Sequence, residues 1–301
     1  MPPVSERRGL PPWLKVSLPT GPNVARLKEA SRSRGLSTVC EEARCPNLAE
    51  CWGGGTATFM VMGDTCTRGC RFCSVGTAVK PPLPDVEEPS KLALTVKEMA
   101  VDYIVLTTVC RDDLPDQGAA HLASCIREIK KLNPSVKLEM LLQDFRGEKG
   151  LLERVLDAAP DVVAHNVECV ERLTSSVRDA KASYRQSLDV LSRSKSYRPK
   201  TPTKTSLMLG LGENEAELLQ TFKDIRSVGV DILTLGQYLR PSGSRHHLMV
   251  DRFVTPEEFD RFGEIAREQG FLHVASGPFV RSSYRAAELF LKGHLERQHA
   301  P

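Results

Sequence analysis

No run of apolar residues in this 301-residue chain approaches the roughly 18 that a membrane-spanning helix needs. An excess of charge of one sign is also missing. The 41 Lys and Arg stand against 38 Asp and Glu, and a formal +3 is too little to argue for nucleic acid. The opening MPPVSERRGLPPWLKV is too rich in Pro and charge to supply the apolar core of a secretory signal. Neither a membrane nor a nucleic-acid partner is therefore expected. What remains, 41% hydrophobic and 26% charged residues, is the composition of an ordinary globular protein, long enough for one large domain or two modest ones. A cytoplasmic, reducing compartment is the expectation. There, nine cysteines are more readily free, metal-bound or catalytic than paired.

The cysteines are short of partners as well. Cys66, Cys70 and Cys73 form C-x3-C-x2-C inside GDTCTRGCRFCSVG, and Cys40, Cys45 and Cys51 form C-x4-C-x5-C inside CEEARCPNLAECW. Neither triplet has a fourth Cys or a His nearby, so two tetrahedral zinc sites would each lack a ligand. Three closely spaced free thiols would be an oxidation liability. An iron–sulfur cluster fits better, because its irons are separately addressable and three cysteines leave one iron open to another ligand. Cys110, Cys125 and Cys169 are scattered and are expected to be small packing residues.

Up to about Trp52 the chain is polar and broken by proline, with one helix expected from Asn23 to a stop at Gly35. From Ala57 onward, short apolar runs alternate with helical patterns. The runs at 57–62, 102–108, 136–142, 161–166, 204–209 and 231–237 read as strands covered on both faces, and 271–277 is a candidate seventh. GAAHLASCIREIKKL, GLLERVLDAA, NEAELLQTFKDIRSVG and TPEEFDRFGEIAREQG read as helices between them. Repeated βα units imply a parallel sheet, either doubly wound or an incomplete barrel, with the chemistry at the C-terminal ends of the strands. The polar clusters do follow strands: the cysteines after the first, CRDD after the second, NVE after the fourth and GLGE after the fifth. The basic run SRSKSYRPKTPTK, residues 192–204, is expected to be a solvated loop, with docking of an acidic partner as the other reading.

A C-x3-C-x2-C triplet after the first strand of a βα series is the arrangement of the radical S-adenosylmethionine (SAM) enzymes. Together with the earlier triplet and PPWLKV, TTVCRDDLPDQGA, HNVECVERL, VRDA, LMLGLGE, LTLGQYLRPS, DRFVTPEEF and RSSYRA, it makes the chain resemble the lipoyl synthases over almost its whole length. The resemblance implies an α/β fold, an incomplete (β/α)6 TIM-like barrel over 57–277. An N-terminal extension, 1–56, carries the first triplet, and a C-terminal segment, 278–301, carries the RSSY motif.

It also implies two [4Fe–4S] clusters and SAM as cofactors. Cys66, Cys70 and Cys73 would hold the cluster that binds SAM, with Phe72 near the adenine. Cys40, Cys45 and Cys51 would hold an auxiliary cluster that gives up sulfur, with Ser283 as fourth ligand and Ser282 as the adjacent alternative. A hard alkoxide on a thiophilic cluster would make a labile corner. Asn166, Glu168 and Arg178 are candidates for the SAM ribose, amino and carboxylate groups, Arg178 supplying a fork matched to a carboxylate. Asp112 and Asp113 are candidates near the amino group, and Gly210, Gly212 and Glu213 for the approach to the adenine.

The implied reaction inserts sulfur at C6 and C8 of an octanoyl-lysine on a carrier, either the glycine cleavage H protein or the lipoyl domain of a 2-oxo acid dehydrogenase E2. Flavodoxin or ferredoxin would donate electrons, and an iron–sulfur carrier would rebuild the auxiliary cluster. Gln143 departs from the family pattern where Pro is usual, Cys169 stands for Thr, and Cys110 stands for a polar residue; none is expected to touch a cluster ligand. The rival readings are another radical SAM sulfur inserter, biotin-synthase-like or a methylthiotransferase, and a zinc-binding interaction module. The early C-x4-C-x5-C argues against the first.

Overall fold

A computed structural model describes residues 9–15, 34–38, 47 and 56–283. The first cysteine triplet, most of the expected helix from Asn23 and the end of the RSSY motif lie outside these residues.

The sheet is built of β1 (Ser37–Thr38), β2 (Thr56–Val61), β5 (Tyr103–Thr108), β6 (Lys137–Leu141), β7 (Val162–Ala164), β8 (Thr203–Leu209), β9 (Ile232–Gln237) and β10 (His273–Ser276). A two-stranded ladder pairs β3 (Thr65–Cys66) with β4 (Gly76–Thr77). Helices α1 (Glu88–Met99), α2 (Ala119–Leu132), α3 (Lys149–Leu156), the short α4 (Thr174–Val177), α5 (Tyr184–Tyr197), α6 (Glu215–Ser227) and α7 (Pro256–Glu268) lie between the strands. The sheet runs β1-β2-β5-β6-β7-β8-β9-β10, and every pairing from β2 onward is parallel.

That order follows the chain without reversal. A doubly wound sheet reverses its strand order at a switch point, so the topology is that of an incomplete barrel. Six βα units end on a seventh parallel strand, β10, as the run at 271–277 suggested. The sheet edges are β10 and the short β1, antiparallel to β2.

Strand alternation assigns the two faces. Outward, Ile104, Leu106, Leu138 and Met140 pack with Leu92 and Val96 of α1 and Leu122 and Ile126 of α2. Leu207, Leu209, Leu233 and Leu235 pack with Phe222 of α6 and Phe259 and Phe262 of α7. Inward, Tyr103, Val105 and Val162 form a small separate cluster. Beside it Lys204 Nζ donates to both Glu139 oxygens at 2.9 Å, and Tyr103 Oη donates to Glu139 at 3.0 Å, all three side chains buried.

Helix starts are written locally. Asn214 and Glu217 make a capping box on α6, Thr255 and Glu258 another on α7 with Pro256 in the first turn, and Ser183 caps α5 through the Gln186 N–H. The basic run is not one loop: residues 192–197 end α5, Thr203 and Lys204 begin β8, and Lys204 is buried. Its turn lies at the N-terminal ends of the strands, opposite the chemistry.

Candidate functional site

At the end of β2 the backbone turns left-handed at Met62 (φ 69°) and Gly63 (φ 86°), while the Met62 N–H donates to the Glu88 carboxylate at 3.0 Å. The chain then enters the cysteine loop, whose base is closed by the β3–β4 ladder. Arg68 pins the loop from inside. Its Nε and Nη2 donate to Asp112 at 2.9 and 2.8 Å, and its Nη1 and Nη2 donate to Asp144 at 2.7 Å each. Asp179, in the VRDA motif, holds the loop from another side: its carboxylate accepts the Gly69 N–H at 2.9 Å and its own N–H donates to Cys70 Sγ at 3.3 Å. Residues 246–248 cover it, the Leu248 N–H bonding the Arg71 carbonyl at 3.1 Å and His247 Nε2 lying 3.0 Å from the Cys73 carbonyl.

Cys66, Cys70 and Cys73 line one cavity of about 260 Å³ at the C-terminal ends of the strands, together with Phe72, Asn166, Glu168 and Arg178. The three thiols differ. A hydrogen bond with the Cys110 thiol, helped by the Arg68 and Cys110 N–H groups, holds Cys66 down to about 6 against its burial. Burial pushes Cys70 up and Cys73 up to about 11.

The opposite wall is polar. Glu168 is half-buried with φ 73°, a backbone setting that a side chain adopts at a cost of order 1–3 kcal/mol and that clusters at functional sites. It is fixed to β8 by bonds on both sides, Glu168 N–H to Ser206 O and Met208 N–H to Glu168 O. Burial raises the Glu168 carboxyl, opposed by Arg178. Arg178 is buried without a carboxylate partner among the described residues, and the buried Asn166 Oδ1 has no hydrogen-bond partner there. A buried unpaired cation and an orphaned acceptor in one cavity are expensive unless a ligand satisfies both.

Several sequence-predicted residues are not brought to the cavity. Asp112 is taken up by Arg68, which holds its carboxyl at about 2 despite burial, and Asp113 pairs with Arg111 at 2.8 Å. Glu213 turns back on its own loop, accepting the Gly210 N–H at 2.6 Å and the Leu211 N–H at 2.9 Å. Gly210 has φ +92°, and a Cβ there would lie 2.4 Å from the Arg252 carbonyl, so packing alone accounts for this glycine. Gly212 is likewise left-handed, at φ +104°, and outside the cavity wall. The loop acts one layer back, where Leu211 and Phe72 pack against one apolar cluster.

Cys110 corrects an expectation: it lines the cavity and donates its N–H to Cys66 Sγ at 3.3 Å, touching a predicted cluster ligand. Gln143 stitches the loops after β5 and β6, donating to the Gln117 carbonyl at 2.5 Å and accepting the Arg111 N–H at 3.3 Å. Cys169 is buried in the cluster behind Phe72.

Ser282 and Ser283 are half-buried at the end of a segment seated on β9. Gly236 permits this: a Cβ there would lie 2.0 Å from the Val280 carbonyl oxygen. Asn47, between Cys45 and Cys51 in sequence, donates to the Phe279 carbonyl at 2.6 Å. Sequence reasoning missed Arg68, Asp144, His165, Asp179 and Ser187. Their types and motifs were visible, but no spacing rule links residues from different βα loops.

A family model described as the Radical SAM superfamily matches residues 60–225, and one described as the N-terminal domain of lipoyl synthase matches residues 3–45. The chain is 57% identical over 98% of both chains to a lipoyl synthase of Myxococcus xanthus. It is 54% identical to a mitochondrial lipoyl synthase of Aedes aegypti, over 98% of this chain and 76% of that one. Among solved structures, the hydrogenase maturase HydG of Carboxydothermus hydrogenoformans aligns with a TM-score of 0.56 at 11% identity, covering 90% of this chain and 78% of that one. Methylornithine synthase aligns with a TM-score of 0.52 at 11% identity, covering 91% and 92%. These structural likenesses concern the fold.

Proposed function

The chain belongs to the lipoyl synthase family of the radical SAM superfamily, and from that premise we propose how its residues divide the reaction. The enzyme inserts two sulfur atoms, at C6 and C8, into an octanoyl-lysine on a lipoyl carrier protein. The observation that carries the division of labour is one cavity lined by three cysteines and by an arginine that has no carboxylate partner among the described residues.

The donor set fits the cofactors. Cys66, Cys70 and Cys73 would hold a [4Fe–4S] cluster with one iron left for SAM. Bound there, the cluster and SAM supply the one-electron chemistry that yields a carbon radical able to take hydrogen from an unactivated carbon. Arg178 presents its fork to the methionine carboxylate, Glu168 accepts the ammonium, and the Asn166 oxygen accepts a ribose hydroxyl. Phe72 backs the adenine, and Met60, Leu141 and Leu142 add apolar lining to the same cavity, which protects a radical from water. Arg68, between Asp112 and Asp144, keeps the cysteine loop in place.

Cys40, Cys45 and Cys51 would hold the auxiliary cluster as the sulfur source, with Ser283 or its neighbour Ser282 as fourth ligand. The Asn47 to Phe279 hydrogen bond supports this, because it joins chain segments 232 residues apart, one next to the triplet and one next to the serines. On this reading residues 1–56 and 278–301 are extensions of a barrel, 57–277, that together carry the second cluster. The H protein or an E2 lipoyl domain delivers the octanoyl group. Flavodoxin or ferredoxin supplies electrons, and an iron–sulfur carrier restores the auxiliary cluster.

Anaerobically reconstituted protein should carry about eight irons, four per cluster. With reductant and an octanoylated carrier peptide it should form the dithiolated product and 5′-deoxyadenosine. Cys40→Ala should keep SAM cleavage and lose sulfur insertion, and Cys66→Ala should lose both. Lipoyl product from Cys40→Ala would overturn the sulfur-donor assignment.

A further inference from the structure

Behind Arg178 lies a hydrogen-bond chain that the assignments above do not use. His165, just beyond β7, is buried, with Nδ1 2.8 Å from the Leu142 carbonyl and Nε2 2.9 Å from Ser187 Oγ. Ser187, on the first turns of α5, is fully buried, and its Oγ lies 2.7 Å from Arg178 Nη1.

The direction of each bond is forced. A carbonyl only accepts, so Nδ1 carries a proton, and in the neutral ring that burial and the nearby Arg178 favour, Nε2 is bare. Ser187 must therefore donate its hydroxyl hydrogen to Nε2, which leaves its lone pairs to accept from Arg178. His165 is suited to this role because burial, with Arg178 close by, holds it down to about 4 and neutral. Leu142 is itself tied to β7, its N–H bonding the Ala164 carbonyl at 2.8 Å.

The guanidinium orientation follows. Both Nη1 hydrogens are spoken for, one by Ser187 and one by the Val167 carbonyl at 3.4 Å. Among the described residues Arg178 donates through Nη1, not through Nε or Nη2, and it lines the cavity. That free edge is a two-donor fork of the kind that grips a carboxylate with parallel bonds.

We propose that Ser187 and His165 are positioning residues for the amino-acid end of SAM, locking Arg178 so that its Nε–Nη2 edge meets the carboxylate. The proposal rests on Arg178 being the carboxylate ligand. None of the three side chains need move when the ligand arrives, so the ordering cost of a long arginine is met in the fold rather than on binding.

Equilibrium dialysis of the reconstituted enzyme against SAM, and separately against 5′-deoxyadenosine, which has no carboxylate, tests this. Ser187→Ala should weaken SAM about tenfold, equivalent to about 1.4 kcal/mol, while 5′-deoxyadenosine binds within about twofold of wild type. Ser187→Thr, which keeps the hydroxyl, should restore most of the SAM affinity. Unchanged SAM affinity in Ser187→Ala overturns the proposal, as does an equal loss for both ligands, the mark of general loosening. Arg178→Gln separates the two levels of inference. If it leaves SAM affinity unchanged, the carboxylate assignment itself fails; if it weakens SAM and Ser187→Ala does not, only the relay fails.

Discussion

Arg68→Met should destabilise the cluster-free protein by about 3–5 kcal/mol, because it strands two buried carboxylates. The Arg68, Asp112 and Asp144 side chains are only 3%, 4% and 1% exposed, and four bonds of 2.7–2.9 Å join them. The fall of Asp112 from the ordinary 3.8 to about 2, achieved against burial chiefly by Arg68 with help from Thr67 and Lys181, corresponds to roughly 2 kcal/mol. Asp144 is lowered by the same guanidinium against its own burial, so both carboxylates lose a stabilising partner. Thermal unfolding of the reduced, cluster-free protein should drop by on the order of 10 °C. The pH dependence has a definite sign. A carboxylate depressed in the fold contributes fully above its unfolded value near 4 and loses that contribution as pH falls toward 2. Wild type should therefore lose stability steeply over that window, and Arg68→Met should not show this component. A loss below about 1 kcal/mol, or an unchanged acid profile, would refute the view that this ion triad holds the cysteine loop.

Gly236→Ala places a Cβ 2.0 Å from the Val280 oxygen, more than an ångström inside contact distance, so the segment bearing Ser282 and Ser283 must lift while the helix-packed face of the sheet stays intact. Sulfur insertion should fall at least about tenfold with 5′-deoxyadenosine formation retained, measured in the same reaction mixture; undiminished lipoyl product would contradict the seating role. Inside the barrel, Lys204→Met alone should cost about 3–5 kcal/mol, whereas Lys204→Met with Glu139→Leu should recover much of it, since an unpaired buried charge costs more than a missing pair. Denaturant unfolding of both variants decides it, and equal costs would count against a desolvation origin.

Much of the barrel was legible because its strands are covered on both faces: uninterrupted Val, Ile, Leu and Thr mark them whatever their neighbours. ATFMVM and DYIVLTT appear within a residue of β2 and β5. Pattern could not distinguish a doubly wound sheet from a barrel, since both repeat the βα unit and only strand order separates them. The basic run 192–204 misled because charge is a surface signal, whereas Lys204 is neutralised by Glu139 from a strand 65 residues earlier. Asp112 and Asp113 show the same dependence on their partners, being bonded by Arg68 and Arg111. Polar residues after a strand do gather at the functional end, but whether a carboxylate faces ligand or scaffold depends on which arginine arrives opposite it.

The sequence by itself determined the chemistry. Three cysteines at C-x3-C-x2-C on a short loop line one cavity because chain connectivity keeps them close, so the proposed ligand set is local information. The polar wall facing them is not local. Glu168 and Asn166 come from the end of β7, Arg178 from the end of α4, Ser187 from α5, and the Leu142 carbonyl from the end of β6. Only the parallel register of the strands sets these ends side by side, and only then does the edge of Arg178 that stays free for a ligand become defined.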